Sequence, residues 1–350
     1  MTDVAVLILH PTPAKRAGGI EGWLAEARSA LAERHRAGFL VAGARTAEVV
    51  AGPPDERSFG ERIRRYLDDR RPDGLVVLGS GAIPLATPAD RRRFVTAAAS
   101  PNRTALANNR YSADVVAIGR VAEAPRIPDL ATDNALPRWL AETAGWTVAD
   151  LRRTPRLGVD VDGPLDLALL GHRSWVPGPP PAILDLVAAR LAAVRSIAAD
   201  PRRELVVAGR VSAAGLAWLE RTTASRTRAL IEERGFRTRR PDQRPIRSTI
   251  GSLLERAGPD GMGDVLAGLG DAALVDSRVL LAHRLGGDER DWPAATDRFA
   301  SDLLLADRIA DPWLRALTAS ARDAAIPIVL GGHTLVGPGL RLALGHRTWT

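Results

Sequence analysis

The chain has 350 residues, a length that suits two domains with a core each. An apolar fraction of 45% and a charged fraction of 25% belong to a globular protein, and the absence of cysteine excludes disulfides, thiolate metal sites and cysteine nucleophiles. The net charge of +7 has the sign of a polynucleotide binder, yet every basic residue except Lys15 is arginine and the arginines are interleaved with acids throughout, so the charge does not by itself point to nucleic acid.

No apolar run approaches the roughly 18 residues a membrane span needs. Residues 4–9 are too few for a signal-peptide core. A cytoplasmic location without a membrane partner is the expectation.

Residues 3–10, DVAVLILH, read as a strand buried on both faces. The loop that follows, PTPAKRAGG, holds Lys15 and Arg16 beside a glycine pair. Lysine charge and glycine backbone would suit a phosphate cradle; a solvated loop is the equal alternative. Residues 21–37 read as a helix, with Trp23, Leu24, Ala27, Leu31 and Arg34 recurring at helical spacing, and Gly38 is expected to end that helix before a short strand in residues 39–42 and 47–50. A second helix is expected over residues 59–67.

Residues 74–88, GLVVLGSGAIPLATP, are the centre of the first half. A buried strand runs into Gly79-Ser80-Gly81, and Thr87 with Pro88 marks the start of a helix. Strand, glycine turn and helix is the arrangement by which an α/β domain offers backbone N–H groups to a ligand. Repetition of strand and helix at this spacing implies a parallel sheet. Further on, Asn108 and Asn109 enter a strand and would bind sugar or base through their amides, or merely form a turn.

In LGVDVDGPLDLALL, residues 157–170, Asp160 and Asp162 alternate with valines and so share one side of a strand. Two hard carboxylates suit Mg²⁺ or Mn²⁺ on nucleotide phosphates. The other reading makes Asp162 the cap of the next helix. Both stand.

The element order, the glycine turn with Ile83-Pro84-Leu85 and the Asp160-to-Leu167 motif resemble GT-A-fold nucleotidyltransferases, nearest to the guanylyltransferases of molybdenum cofactor and of 2-phospholactate. The resemblance covers residues 1–172. It implies transfer of a nucleotidyl group from a nucleoside triphosphate to a small phosphorylated acceptor with a divalent metal, Mg²⁺ or Mn²⁺. Carried over by position, Lys15 and Arg16 would neutralise the triphosphate, and Gly79, Ser80 and Gly81 would cradle it. Asp160 and Asp162 would hold the metal, with Lys15 and Asp162 catalytic, and Asn108 and Asn109 would lie by nucleotide or acceptor. One departure stands out: the turn has Gly81, Ala82 and Ile83 where such enzymes carry an acidic metal ligand. A nucleotide- or sugar-binding protein without transferase activity is the alternative it raises.

Residues 174–182, rich in proline, read as a linker between a first domain of residues 1–173 and a mixed α/β domain of residues 183–350. In the second half, LVVAGRV and IVLGGH repeat the strand-into-glycine pattern of LVVLGSG. Residues 221–247 form the most basic run, with only Phe236 to stack on a base, and read as solvated helix and loop rather than a polynucleotide surface. Residues 273–283, ALVDSRVLLAH, fit a strand or a buried helix, and His333 beside two glycines reads as structural, as a phosphate contact or as a base. The fold class expected is α/β: a GT-A-like, mostly parallel sheet flanked by helices, with a second mixed domain. Self-association is compatible with it.

Overall fold

Strand β1 (Val4–Pro11) is apolar on both faces because both are covered. It lies inside a six-stranded sheet in the computed structural model of the protein, which describes residues 2–12, 19–53, 55–171, 173–176, 182–235, 244–346 and 349. The chain divides into two compact units, Met1–Asp162 with His172–Gly178, and Gly163–Gly171 with Pro179–Thr350. Among the described residues, no helix is long and apolar enough to cross a membrane.

In the first unit β1 is followed by α1 (Gly19–Val41), β2 (Thr46–Gly52), α2 (Phe59–Arg70), β3 (Gly74–Gly79) and α3 (Pro88–Ala98). Then come β4 (Thr104–Ala107), β5 (Val115–Ile118), α4 (Ala135–Glu142) and β6 (Thr147–Asp150). The sheet order is β2-β1-β3-β5-β4-β6. All neighbours are parallel except β5, which runs against both β3 and β4. Val6, Ile8, Val76 and Leu78 pack on one face with Phe39 and Phe94. Leu7, Leu75 and Val77 pack on the other with Ile63 and Leu136. This period of two is what positions both helical layers.

The capping expectation holds at α3. Thr87 accepts the Asp90 N–H at 3.2 Å, and the Asp90 carboxylate accepts the Thr87 N–H at 2.8 Å, a reciprocal capping box with Pro88 in the first turn. Gly38, in contrast, does not end α1. The helix continues to Val41 because Phe39 is fully buried and needs the extra turn to reach the core. The expected strand over residues 157–162 contracts to a single bridge between Asp160 and Ala82, since Pro155–Gly158 winds as a 3₁₀ turn. The alternation survives in burial: Val159 and Val161 are buried, Asp160 is partly exposed and Asp162 is exposed.

The second unit opens with α5 (Pro164–Leu170) and α6 (Asp185–Ala198). It continues through β7 (Glu204–Gly209), α7 (Ala213–Thr222), β8 (Arg226–Ile231), α8 (Thr249–Ala257) and α9 (Met262–Ala267). Next are β9 (Ala272–Asp276), α10 (Ser277–Leu285), α11 (Ala295–Asp302), α12 (Pro312–Asp323) and β10 (Ile328–Gly331). The short helices α13 (His333–Val336) and α14 (Leu340–Ala343) end it. Its four strands, ordered β10-β9-β7-β8, are all parallel. Residues 273–283 resolve into both readings, strand to Asp276 and helix from Ser277. The basic run contains β8, an edge strand whose outward side carries Arg226 and Arg228, so solvated helix and loop is corrected to strand there. Phe236 and residues 236–243 lie outside the described residues.

Candidate functional site

In a doubly wound sheet, ligands bind beyond the carboxyl ends of the strands, where successive connections leave in opposite directions. In the first unit that switch lies between β1 and β3, because β2 adds on one side of β1 and β3 on the other. The strand ends meet there directly. The Ser80 N–H donates to the Leu9 carbonyl at 2.9 Å, and the His10 Nδ1 and Ser80 Oγ are 3.0 Å apart.

His10 and Ser80 are both buried, and burial, with the field of Arg28 second, lowers the His10 pKa from its ordinary value. Arg28 projects from α1. Its Nε donates to the Val161 carbonyl and its Nη2 to the Asp162 carbonyl, each at 2.8 Å. The same Nη2 is 3.8 Å from an Asp162 carboxylate oxygen. One cation thus ties the helix after β1 to the acidic segment. Asp162 keeps a side chain that is 78% exposed.

The glycine turn and the acidic segment are paired through backbone. The Val161 N–H donates to the Gly81 carbonyl at 2.9 Å, and a Cβ on Gly81 would stand 2.7 Å from the Val161 oxygen. Only glycine fits. At Gly79 a Cβ would meet nothing within 4 Å, so open space lies beside the end of β3. Ile83, β-branched and fully buried, sits at φ +40°, a conformation costing about 1–2 kcal/mol. It is held by the Ala86 N–H donating to the Ile83 carbonyl at 2.9 Å, and by His35, whose Nε2 lies 2.8 Å from the Ala82 oxygen. Strain held in place this way is common where a turn is shaped for a ligand.

Asn108 also lies at this edge, but its amide is spent internally. Its Nδ2 donates to Asp114 Oδ2 at 2.7 Å and to the Leu157 carbonyl at 2.9 Å, while its Oδ1 accepts from the Asp114 and Val115 N–H groups. That uses its full hydrogen-bonding capacity. The Asn109 Oδ1 accepts the Tyr111 N–H at 3.0 Å, a local turn. Lys15 and Arg16 lie outside the described residues. The helix-cap role considered for Asp162 falls to other residues: Gly163 is the N-cap of α5, and its N–H is accepted by the Asp166 carboxylate at 2.7 Å.

Among the described residues no three acidic or histidine side chains converge as a metal-ligand set. Asp160, partly exposed, and Asp162, exposed, supply two carboxylates, a donor set compatible with Mg²⁺, which keeps several waters and takes one or two protein carboxylates beside substrate phosphates. The sequence reading missed His10 and Arg28. The signal for Arg28 was a cation within the apolar stripe Trp23, Leu24, Ala27, Leu31 and His35.

The second unit has its own switch, between β7 and β9, and a charged cluster fills it. Asp276, fully buried, accepts from Arg210 Nε at 2.6 Å and Nη2 at 3.1 Å. Burial works against its charge, but Arg210 holds the carboxyl below its usual range. Gly209, at φ +136°, leaves room for it, since any Cβ would overlap the Asp276 Cβ. Two residues on, Arg278 grips Asp302 with two bonds of 2.6 Å. Burial pushes the Asp302 carboxyl up in spite of that partner. No motif in the sequence announced these pairs, because their members lie 66 and 24 positions apart.

No protein-family model matches the sequence, and no curated protein does. Among solved structures, that of Rv0371c from Mycobacterium tuberculosis H37Rv is similar at 17% identity, covering 43% of this chain and 88% of that chain, with a TM-score of 0.28. At that score the likeness carries no argument about fold or activity.

Proposed function

We propose that the first unit binds a nucleoside triphosphate in the crevice between β1 and β3 and transfers its nucleotidyl group to a phosphorylated acceptor. The observation that carries the reading is the direct pairing of the glycine turn with the acidic segment, Gly81 against Val161 and Ala82 against Asp160. It sets the candidate phosphate cradle beside the candidate metal carboxylates.

In this reading the turn Gly79-Ser80-Gly81 receives phosphate oxygens, and Arg28 adds positive charge at the same edge. Asp160 and Asp162 would hold Mg²⁺ or Mn²⁺, which when bound neutralises charge developing on the phosphate oxygens. An acceptor phosphate oxygen attacks the α-phosphorus, the bond to the β-phosphate oxygen breaks, and pyrophosphate leaves. Lys15 and Arg16 take the triphosphate charge as the resemblance implies.

A second reading is a nucleotide-binding protein without transferase activity, favoured by a turn that offers backbone groups and one hydroxyl but no carboxylate. Pyrophosphate release separates the two. Full-length protein with GTP, CTP or ATP, Mg²⁺ and a panel of phosphorylated small acids is expected to release pyrophosphate with at least one pair. Metal-independent nucleotide binding with no release across the panel would leave the binding reading alone.

A further inference from the structure

We propose that Arg34 and His35 of α1 and Arg91 of α3 form a binding site for inorganic hydrogenphosphate, distinct from the crevice at the β1 and β3 ends. Arg91 is only 4% exposed, and its Nε and Nη2 have no hydrogen-bond partner. A buried guanidinium left this way has donors to spare for an anion beyond Asp90, the carboxylate whose charge already acts on it. The acid next to it in sequence is already engaged: Asp90 takes bonds from Arg156 at 2.7–3.2 Å and caps α3 with Thr87. Arg34, half-buried, donates to the Pro84 carbonyl at 2.9 Å. Its charge adds to that of Arg91, and Arg173 adds to it in turn.

The seat for Arg91 is built. A Cβ on Gly38 would stand 2.7 Å from the Arg91 Nε and 2.8 Å from its Cδ, so α1 carries its glycine where the guanidinium stem lies against it. One turn earlier is His35, with no exposed surface. Its Nε2 faces the Ala82 carbonyl, which only accepts, so Nε2 carries the hydrogen and Nδ1 is a bare acceptor, also without a partner. Burial first, and the Arg91 charge second, keep this ring neutral, with its pKa lowered to about 3.

These unpartnered groups together ask for negative charge at the arginines and an O–H at the His35 Nδ1. Hydrogenphosphate supplies both in one ion. Sulfate has the charge without the hydrogen, water has the hydrogen without the charge, and a phosphomonoester dianion lacks the O–H. The preference is thus for the free ion over a phosphate carried on a larger ligand. The inference does not rest on nucleotidyl transfer.

Calorimetric titration of the full chain with sodium phosphate, at ionic strength matched with chloride, tests it. Saturable binding of one ion per chain is expected, with sulfate and glycerol 2-phosphate at least tenfold weaker. Arg91→Met and the half-exposed Arg34→Gln should each weaken phosphate at least tenfold, while Asp162→Ala should leave it within twofold. Absence of saturable binding, equal affinity for sulfate, or phosphate affinity unchanged in folded Arg34→Gln would overturn the proposal. So would its loss in Asp162→Ala, which would place the ion in the crevice.

Discussion

Gly81 and Val161, 80 positions apart, are joined by a 2.9 Å backbone hydrogen bond and lie too close for any side chain at Gly81. Through this contact the end of β3 and the acidic segment behave as one edge of the sheet. Gly81→Ala must push the Val161 carbonyl aside, and overpacking of this kind costs about 1–3 kcal/mol. The expected result is a lower urea midpoint with an unchanged slope. Gly79→Ala, where a Cβ meets open space, is the control and should change stability by less than about 1 kcal/mol.

His35 makes stability depend on pH. Its ring titrates at about 3 in the folded protein against 6.5 when exposed. Between those values the unfolded chain binds the extra proton, so stability rises with pH across the window and is fully present above 6.5. The loss from pH 6.5 down to 3 is on the order of 4 kcal/mol. His35→Gln, which can still donate to the Ala82 carbonyl, should flatten this part of the urea-midpoint curve. An unchanged slope in the variant would assign the dependence to other groups.

Arg278 and Asp302 make the same point for the second unit. Removing one partner of a buried, doubly bonded pair strands the other charge at a cost of about 3–5 kcal/mol. Asp302→Ala should therefore lower stability far more than Asp288→Ala, whose exposed pair with Arg290 is solvated. Parallel denaturation curves of the two variants check this; equal losses would contradict it.

What the sequence discloses follows from range. Thr87, Pro88 and Asp90 cap α3 within three residues of one another, so the chain itself displays the signal. The three strand-into-glycine pieces are likewise local, and became β3, β7 and β10. The direction of β5 is not local: four apolar residues bear the same pattern whichever way they run. Nor is the partnership of Arg28 with Val161, which spans 133 positions. Asn108 shows the opposite limit, because a residue type suited to a ligand proved to be consumed by Asp114, Val115 and Leu157. The acidic segment was visible as a motif, while its attachment to the glycine turn emerges only from the fold.

Ser80 offers a local test of the crevice. Its hydroxyl lies against His10 at the switch between β1 and β3, where incoming phosphate would meet it. Ser80→Ala should weaken nucleotide affinity by roughly three- to tenfold, the worth of one hydrogen bond of about 1 kcal/mol. Thermal denaturation should show the fold intact. Unaltered affinity would remove Ser80 from the cradle.

Under the proposed function, the paired turn and acidic segment bind a nucleoside triphosphate with a divalent cation. Calorimetric titration of GTP, CTP and ATP into wild-type protein and Asp162→Ala, each with and without Mg²⁺, tests it most directly. Saturable binding of at least one nucleotide is expected, strengthened by Mg²⁺ and losing that strengthening in Asp162→Ala. No binding of any of the three, with or without the metal, would contradict it.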